Sequence, residues 1–237
     1  MRPDILLHSE EAIEPLAAAA RDADVATFIR DNLPVVTVPG VPEIRLHKAA
    51  PDSGLRRLAE ADAGFGSPYW AYHWAGGLAL ARYVLDHPER VAGKKVVDLG
   101  AGGGLVGIAA AKAGAACVIA VEIDPYAVAS LQLNAARNRV EIAVVAENIV
   151  AGPPPAADMM LVGDLFYAAD LAARVSGLLD RCSAQGADVL VGDPWRSFLP
   201  RERLREIALY PVTETGSGSG KTAGVFEWIA AGLPHPA

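Results

Sequence analysis

The stretch from Val96 to Pro125 constrains the chain more than any other. A β-branched run, Val96-Val97, ends in Asp98. Gly100, Gly102 and Gly104 then turn the chain into an Ala-rich helix, and a second apolar run, Val118 to Val121, ends in Glu122. This is the pattern of a strand-helix-strand unit. Glycines lack a Cβ, so the loop reaches positive φ and lets a ligand lie against bare backbone, facing the free N–H groups that open the helix. Glu122 lies 22 positions after Gly100, near the offset of about 20 at which a second-strand carboxylate reaches ribose hydroxyls. The unit predicts an adenosine site, with Gly100, Gly102, Glu122 and the adjoining Ile123 in contact with the ligand.

Two cofactors use this geometry. Gly102-Gly103-Gly104-Leu105-Val106-Gly107 fits the dinucleotide pattern G-x-G-x-x-G, which admits an NAD enzyme. Asp98 argues against it, because a carboxylate two residues before the first glycine would face the pyrophosphate of a dinucleotide. S-adenosylmethionine carries an ammonium and a sulfonium and no phosphate, so the same carboxylate favours it. Asp98 is therefore expected to face the methionine ammonium, the alternative being a cap for the following loop. Glu122 is expected to take the ribose hydroxyls, or else to be a solvated strand end.

At 237 residues, the chain suits one α/β domain with an extension. A net charge of −7 supplies no field to attract a nucleic-acid backbone. The apolar stretch from Leu105 to Val121 is broken by Lys112 and Gly114, so no membrane span is expected. The amino terminus lacks the apolar core of a signal peptide. Cys117 and Cys182 lie far apart, and His47, His73 and His87 are scattered. No metal site is expected, and both cysteines read as reduced, buried residues of a cytoplasmic protein.

Residues 10–32 have a helical pattern, which Pro34, Pro39 and Pro42 then break. Glu43 to His47 alternates like a half-buried strand, residues 51–68 read mostly as loop, and Ala75 to Leu85 reads as a helix. Apolar runs near 96–99, 116–122, 142–145, 158–163 and 187–192, the earlier ones separated by helical segments, imply a parallel sheet. Leu209 to Val212 and Gly224 to Trp228 flank only a loop and suggest a terminal antiparallel hairpin. The sum is a seven-stranded, mostly parallel sheet of the class I methyltransferase type, residues 67–237, preceded by a helical and strand extension, residues 1–66. Thr215 to Thr222 nearly spells a phosphate-binding loop, but Thr215 replaces its first glycine and a strand follows instead of a helix. A flexible hairpin loop is the better reading.

With these residues in view, the chain resembles bacterial protein-lysine methyltransferases related to the mitochondrial enzyme that modifies the β-subunit of electron transfer flavoprotein. The likeness runs from Phe28 to Phe226 through Val41 to Leu46, Pro68 to Gly77, the glycine loop, Gly163-Asp164-Leu165-Phe166-Tyr167 and Gly192 to Arg196. The glycine loop marks only the superfamily, whereas Asp-x-Phe-Tyr after the fourth strand of the sheet is the specific element. The resemblance implies an S-adenosylmethionine-dependent transfer of methyl groups to lysines of a protein, either electron transfer flavoprotein or a ribosomal protein. Relatives labelled nicotinamide methyltransferase-like keep a small-molecule acceptor open, for which residues 1–25 would supply a lid. A cofactor-binding regulator without catalysis also remains open. A short-chain dehydrogenase is disfavoured, because no tyrosine has Lys four residues later. Two departures stand out: Trp195, where relatives have glycine, and Gly216 to Gly220, where they carry charged residues.

Asp164, Phe166 and Tyr167 follow a strand at the carboxyl edge of the sheet, where open α/β folds keep their ligands. The expectation is that Asp164 orients the incoming amine while Phe166 and Tyr167 form a desolvating channel. The alternative is that the two aromatics anchor the next helix. Gly163 belongs to the cofactor side of the same turn. Trp74 either walls the cofactor pocket or packs in the core with Trp70, and Asn148 either accepts from the adenine amino group or is a turn residue.

Overall fold

The computed structural model describes residues 24–61, 65–213 and 220–229. Helix α1 (residues 24–32) leads to an antiparallel ribbon of β1 (Val35–Val38) and β2 (Val41–His47), turned at Gly40 with φ 74°. Helices α2 (Leu55–Ala61) and α3 (Ala75–Asp86) follow. The main sheet then alternates β3 (Lys95–Leu99), α4 (Leu105–Lys112), β4 (Cys117–Val121), α5 (Pro125–Asn138), β5 (Ala143–Val145), β6 (Met159–Gly163), α6 (Ala169–Ala184) and β7 (Asp188–Asp193). It closes with the hairpin β8 (Leu204–Val212) and β9 (Lys221–Trp228).

The strand order is β5-β4-β3-β6-β7-β9-β8, with β9 antiparallel to both neighbours and the first five strands parallel. Strands β3, β6 and β7 are buried on both faces, as near-continuous apolar runs in a parallel sheet must be. Successive residues point to opposite faces. Val96, Leu161 and Leu190 join a core with α3, α4 and the β1–β2 ribbon, while Val97, Met160 and Val191 join a second core with α6. A third cluster seats Ile29, Leu33 and Leu55 of the amino-terminal segment against Trp70 and Tyr126.

Three local expectations are corrected. Residues 51–68 contain α2, whose seven residues are too short to show a period between the turn formers at 51–54 and the following loop. Strand β1 lies between Pro34 and Pro39, which masked it. Cys117 is exposed because it opens β4 at the sheet's amino edge, whereas Cys182 is buried in α6. Residues 10–23 of the expected first helix, most of the proposed lid at 1–25 and residues 214–219 of the glycine-serine run lie outside the described residues. Lys221 and Thr222, at the end of that run, stand in β9.

Candidate active site

The strand order reverses between β3 and β6, since chain succession runs outward through β4 on one side and through β7 on the other. Such a switch point leaves a crevice outside the carboxyl ends of the strands. Here it is a cavity of about 510 Å³, a size suited to one nucleoside-bearing ligand. Asp98, Gly100 and Gly102 reach it from the β3–α4 loop, Glu122 and Ile123 from β4, and Asn148 from β5. Trp74, Gly163, Asp164 and Tyr167 line its other end. Phe166 does not reach it.

At the β4 end the loop is set by backbone. Gly100 and Gly104 take φ of 68° and 87°, conformations that side chains other than glycine seldom adopt. The Glu122 carboxylate accepts from the N–H of Gly102 at 2.8 Å, Ile123 at 2.7 Å and Asp124 at 3.0 Å. It thereby ties β4 to the glycine loop, and its Oε2, with one donor, keeps a lone pair at the cavity that the residue lines. Asn148 is exposed on the cavity, and its side-chain oxygen accepts from the Val150 N–H at 3.2 Å, a turn contact. That oxygen has a second lone pair, the group an adenine amino hydrogen would need.

Asp98 is buried, and its Oδ2 accepts from the Gly107 N–H at 2.7 Å in the first turn of α4. It caps the helix and lines the cavity together. Burial pushes its carboxyl up to about 7, with the nearby Glu122 charge adding to the effect. Near neutral pH the group is thus poised between its two forms, and an arriving cation favours the carboxylate. The sign has two consequences. In the ligand-free protein the folded carboxyl lies above its unfolded value, so its contribution to stability improves as pH falls from about 7 toward 4. Affinity for a cationic ligand moves oppositely. S-adenosylhomocysteine binding should weaken toward about tenfold per pH unit below 7 as Asp98 takes up its proton. Asp98→Asn should bind weakly with that limb removed, and calorimetry between pH 5.5 and 8 reads both; an unchanged slope in the variant sinks the role.

At the β6 end, Asp164 is held at φ 61° and accepts from the N–H of Gly76 at 3.0 Å and of Gly77 at 2.5 Å. It therefore caps α3 from another strand. Arg196 donates to the same carboxylate and to Asp193, at 3.0 Å, while the Arg196 backbone N–H donates to Asp193 at 2.7 Å. Burial pushes the Asp164 carboxyl up against the pull of this guanidinium and the two amides. Asp164 thus holds α3 and the post-β7 loop in place, and its Oδ2, with one donor, keeps a lone pair at the cavity that the residue lines. The close fit has a steric basis. A Cβ on Gly76 would come within 2.1 Å of the Gly192 carbonyl oxygen, and one on Gly163 within 3.2 Å of the Gly77 Cα. Gly163 is thus a packing glycine as well as a cavity residue.

Phe166 is corrected outright. It is 0% exposed among Val162, Val175 and Leu179, because the turn after β6 aims it under α6. Tyr167, the next residue, is 60% exposed on the cavity. Tyr69 and Trp74 stand beside the same cavity with ring centroids 5.8 Å apart, and the Trp74 indole donates to the Tyr69 carbonyl at 2.9 Å. Trp74 thus walls the cavity, while Trp70 is buried in the third cluster. Trp195 sits at φ 60°, a position that suits glycine, and packs edge-on to Phe226 at 5.7 Å.

Two cavity residues have no signal of their own in the sequence. Arg196 lies in the Gly192 to Arg196 segment, whose place is either the border of the acceptor cleft or a structural turn, but its carboxylate partner Asp164 is 32 positions away. Lys48 follows β2 with no local pattern to single it out.

Residues 79–182 match the family model of ribosomal protein L11 methyltransferase. The electron transfer flavoprotein beta subunit lysine methyltransferase of Danio rerio is 36% identical over 193 residues, covering 80% of this chain and 75% of the relative. The Homo sapiens protein of the same description is 36% identical over 206 residues, covering 84% and 79%. A Pyrococcus horikoshii structure ascribed to RNA methylation superposes with a TM-score of 0.51 at 17% identity, covering 75% of this chain and 98% of its own. That last likeness speaks to the fold.

Proposed function

Because the chain belongs to the family of the electron transfer flavoprotein beta subunit lysine methyltransferases, we propose that its acceptor is a lysine side chain of a protein. The enzyme is an S-adenosylmethionine-dependent methyltransferase, and the dehydrogenase reading is set aside by that membership. The acceptor we favour is the beta subunit of electron transfer flavoprotein, named for the relatives that cover the chain, with a ribosomal protein second on the family model. The observation that carries a protein acceptor is the cavity's rim, where Tyr69, Ile123 and Tyr167 are each at least 60% exposed. A rim of this kind suits a long side chain entering from a surface rather than a ligand sealed inside.

The residues present fit the cofactor: Glu122 for the ribose diol, Asp98 for the ammonium, and bare glycine backbone between them. When bound, S-adenosylmethionine supplies an electrophilic methyl group on a sulfonium. The chain's own work is to present a neutral amine in line and to exclude water. Lysine's ordinary pKa of about 10.4 keeps it charged at neutral pH, and desolvation beside Tyr167, Tyr69 and Trp74 favours loss of that proton to solvent before transfer. Asp164 and Arg196 keep α3, and with it Trp74, in register with the strand ends.

No helix among the described residues is long and apolar enough to cross a membrane. Two free thiols, one of them exposed, support a reducing compartment, the cytoplasm. Incubation with methyl-labelled S-adenosylmethionine and either purified beta subunit or cell extract should put label into methyllysine in the protein fraction. Label that leaves with the small molecules after gel filtration would replace the protein acceptor by a small one. Failure to bind S-adenosylhomocysteine would remove the cofactor.

A further inference from the structure

We infer that Lys48 is the cation that receives the carboxylate at the methionine end of the cofactor. The inference deepens the cofactor reading above and rests on it. The ligand is a zwitterion with a second cation, so a site that binds all of it needs a positive group as well as Asp98 and Glu122. Two cations line the cavity, Lys48 and Arg196. Arg196 is committed to Asp164 and Asp193. His73, beside Lys48, is kept neutral by burial and by the lysine charge.

Lys48 is 4% exposed and donates to the carbonyls of Trp70 at 2.9 Å and Tyr72 at 2.7 Å. An ammonium has three donors. Among the described residues the third has no partner, and no carboxylate pairs with the charge. An unpaired ammonium at that depth is costly, and burial alone brings Lys48 down to about 7. A carboxylate arriving from the cavity would offset that cost.

The position also fits. A Cβ on Gly103 would lie 3.4 Å from the Lys48 Nζ, so the amine rests against the glycine loop where that loop is bare. Buried Asn134 on α5 accepts from the His47 N–H at 2.8 Å and donates to the Gly103 carbonyl at 2.8 Å. One side chain therefore fixes both the residue before Lys48 and the loop it faces.

The test compares S-adenosylhomocysteine with its decarboxylated form, which keeps adenosine, thioether and amine. Wild-type protein should bind the carboxylate-bearing ligand about ten- to a hundredfold more tightly in calorimetry, the range of one charge-assisted contact. Lys48→Met should lose that preference and bind the decarboxylated ligand within about twofold of wild type, and Lys48→Arg should restore part of it. Equal loss of both ligands would make Lys48 only a clip between β2 and the Trp70–Tyr72 turn, and overturns the proposal. So does a wild type indifferent to the carboxylate, whatever the variants do. A wild type that binds neither ligand would instead overturn the cofactor reading itself.

Discussion

Arg196→Met is expected to destabilise the protein by about 3–5 kcal/mol, the range seen when one partner of a buried ion pair is removed. The guanidinium serves two carboxylates, and Asp193 is 0% exposed while the Asp164 side chain is 12% exposed. Without it, two neighbouring acids remain in a site that solvates neither. Burial already pushes both above their ordinary values, and Arg196 opposes that push. Its loss raises them further. A carboxyl raised in the folded state binds its proton more tightly there, so folding weakens as pH rises through the folded value and recovers as pH falls toward the unfolded one. The gap between wild type and variant should therefore be widest near pH 8 and shrink toward pH 5. In thermal melts it should amount to a shift on the order of 10 °C at the alkaline end. Methyl transfer should fall with it, since Asp164 holds the Gly76 and Gly77 amides that start α3 beside Trp74. A gap below about 1 kcal/mol, or one independent of pH, would show that the three groups do not act as a unit.

This cluster also marks the limit of what the sequence made legible. The cofactor half was readable because its signals are local: short apolar runs at β3 and β4, glycines in the turn, and a carboxylate at the end of each run. Asp98, Gly100, Gly102 and Glu122 fall on one cavity for that reason. The acceptor half depends on contacts across distant elements. Nothing around Asp164 announces that Gly76 and Gly77, 88 and 87 positions earlier, present their amides to it. Nothing around Gly192 announces that its backbone touches that of Gly76. Lys48 is the extreme case, since its burial is fixed by Asn134 through the backbone of its neighbour. Even adjacent residues diverge when a turn intervenes, and Asp-x-Phe-Tyr joins a core residue to a rim residue under one motif.

Phe166 and Tyr167 should accordingly give opposite phenotypes. Phe166→Ala removes a wholly buried ring from the core beneath α6, and emptying such a site costs about 3–5 kcal/mol. Denaturant unfolding should read that loss, while the fraction that remains folded keeps its affinity for S-adenosylhomocysteine within a few-fold, because the ring does not line the cavity. Tyr167→Ala should leave stability within about 0.5 kcal/mol, as an exposed side chain allows. It should cut methylation of a protein acceptor by tenfold or more, with cofactor affinity nearly unchanged. The difference follows from where each ring acts: one supports the helix behind the strand ends, the other dries the path of the incoming amine. Loss of a transition-state contact lowers kcat, whereas loss of packing lowers the amount of active enzyme without changing its rate constants. Single-turnover rates normalised to cofactor-binding sites separate the two. If Tyr167→Ala turns over at the wild-type rate, the amine enters by another wall of the cavity, and Tyr69 with Trp74 becomes the wall to substitute next.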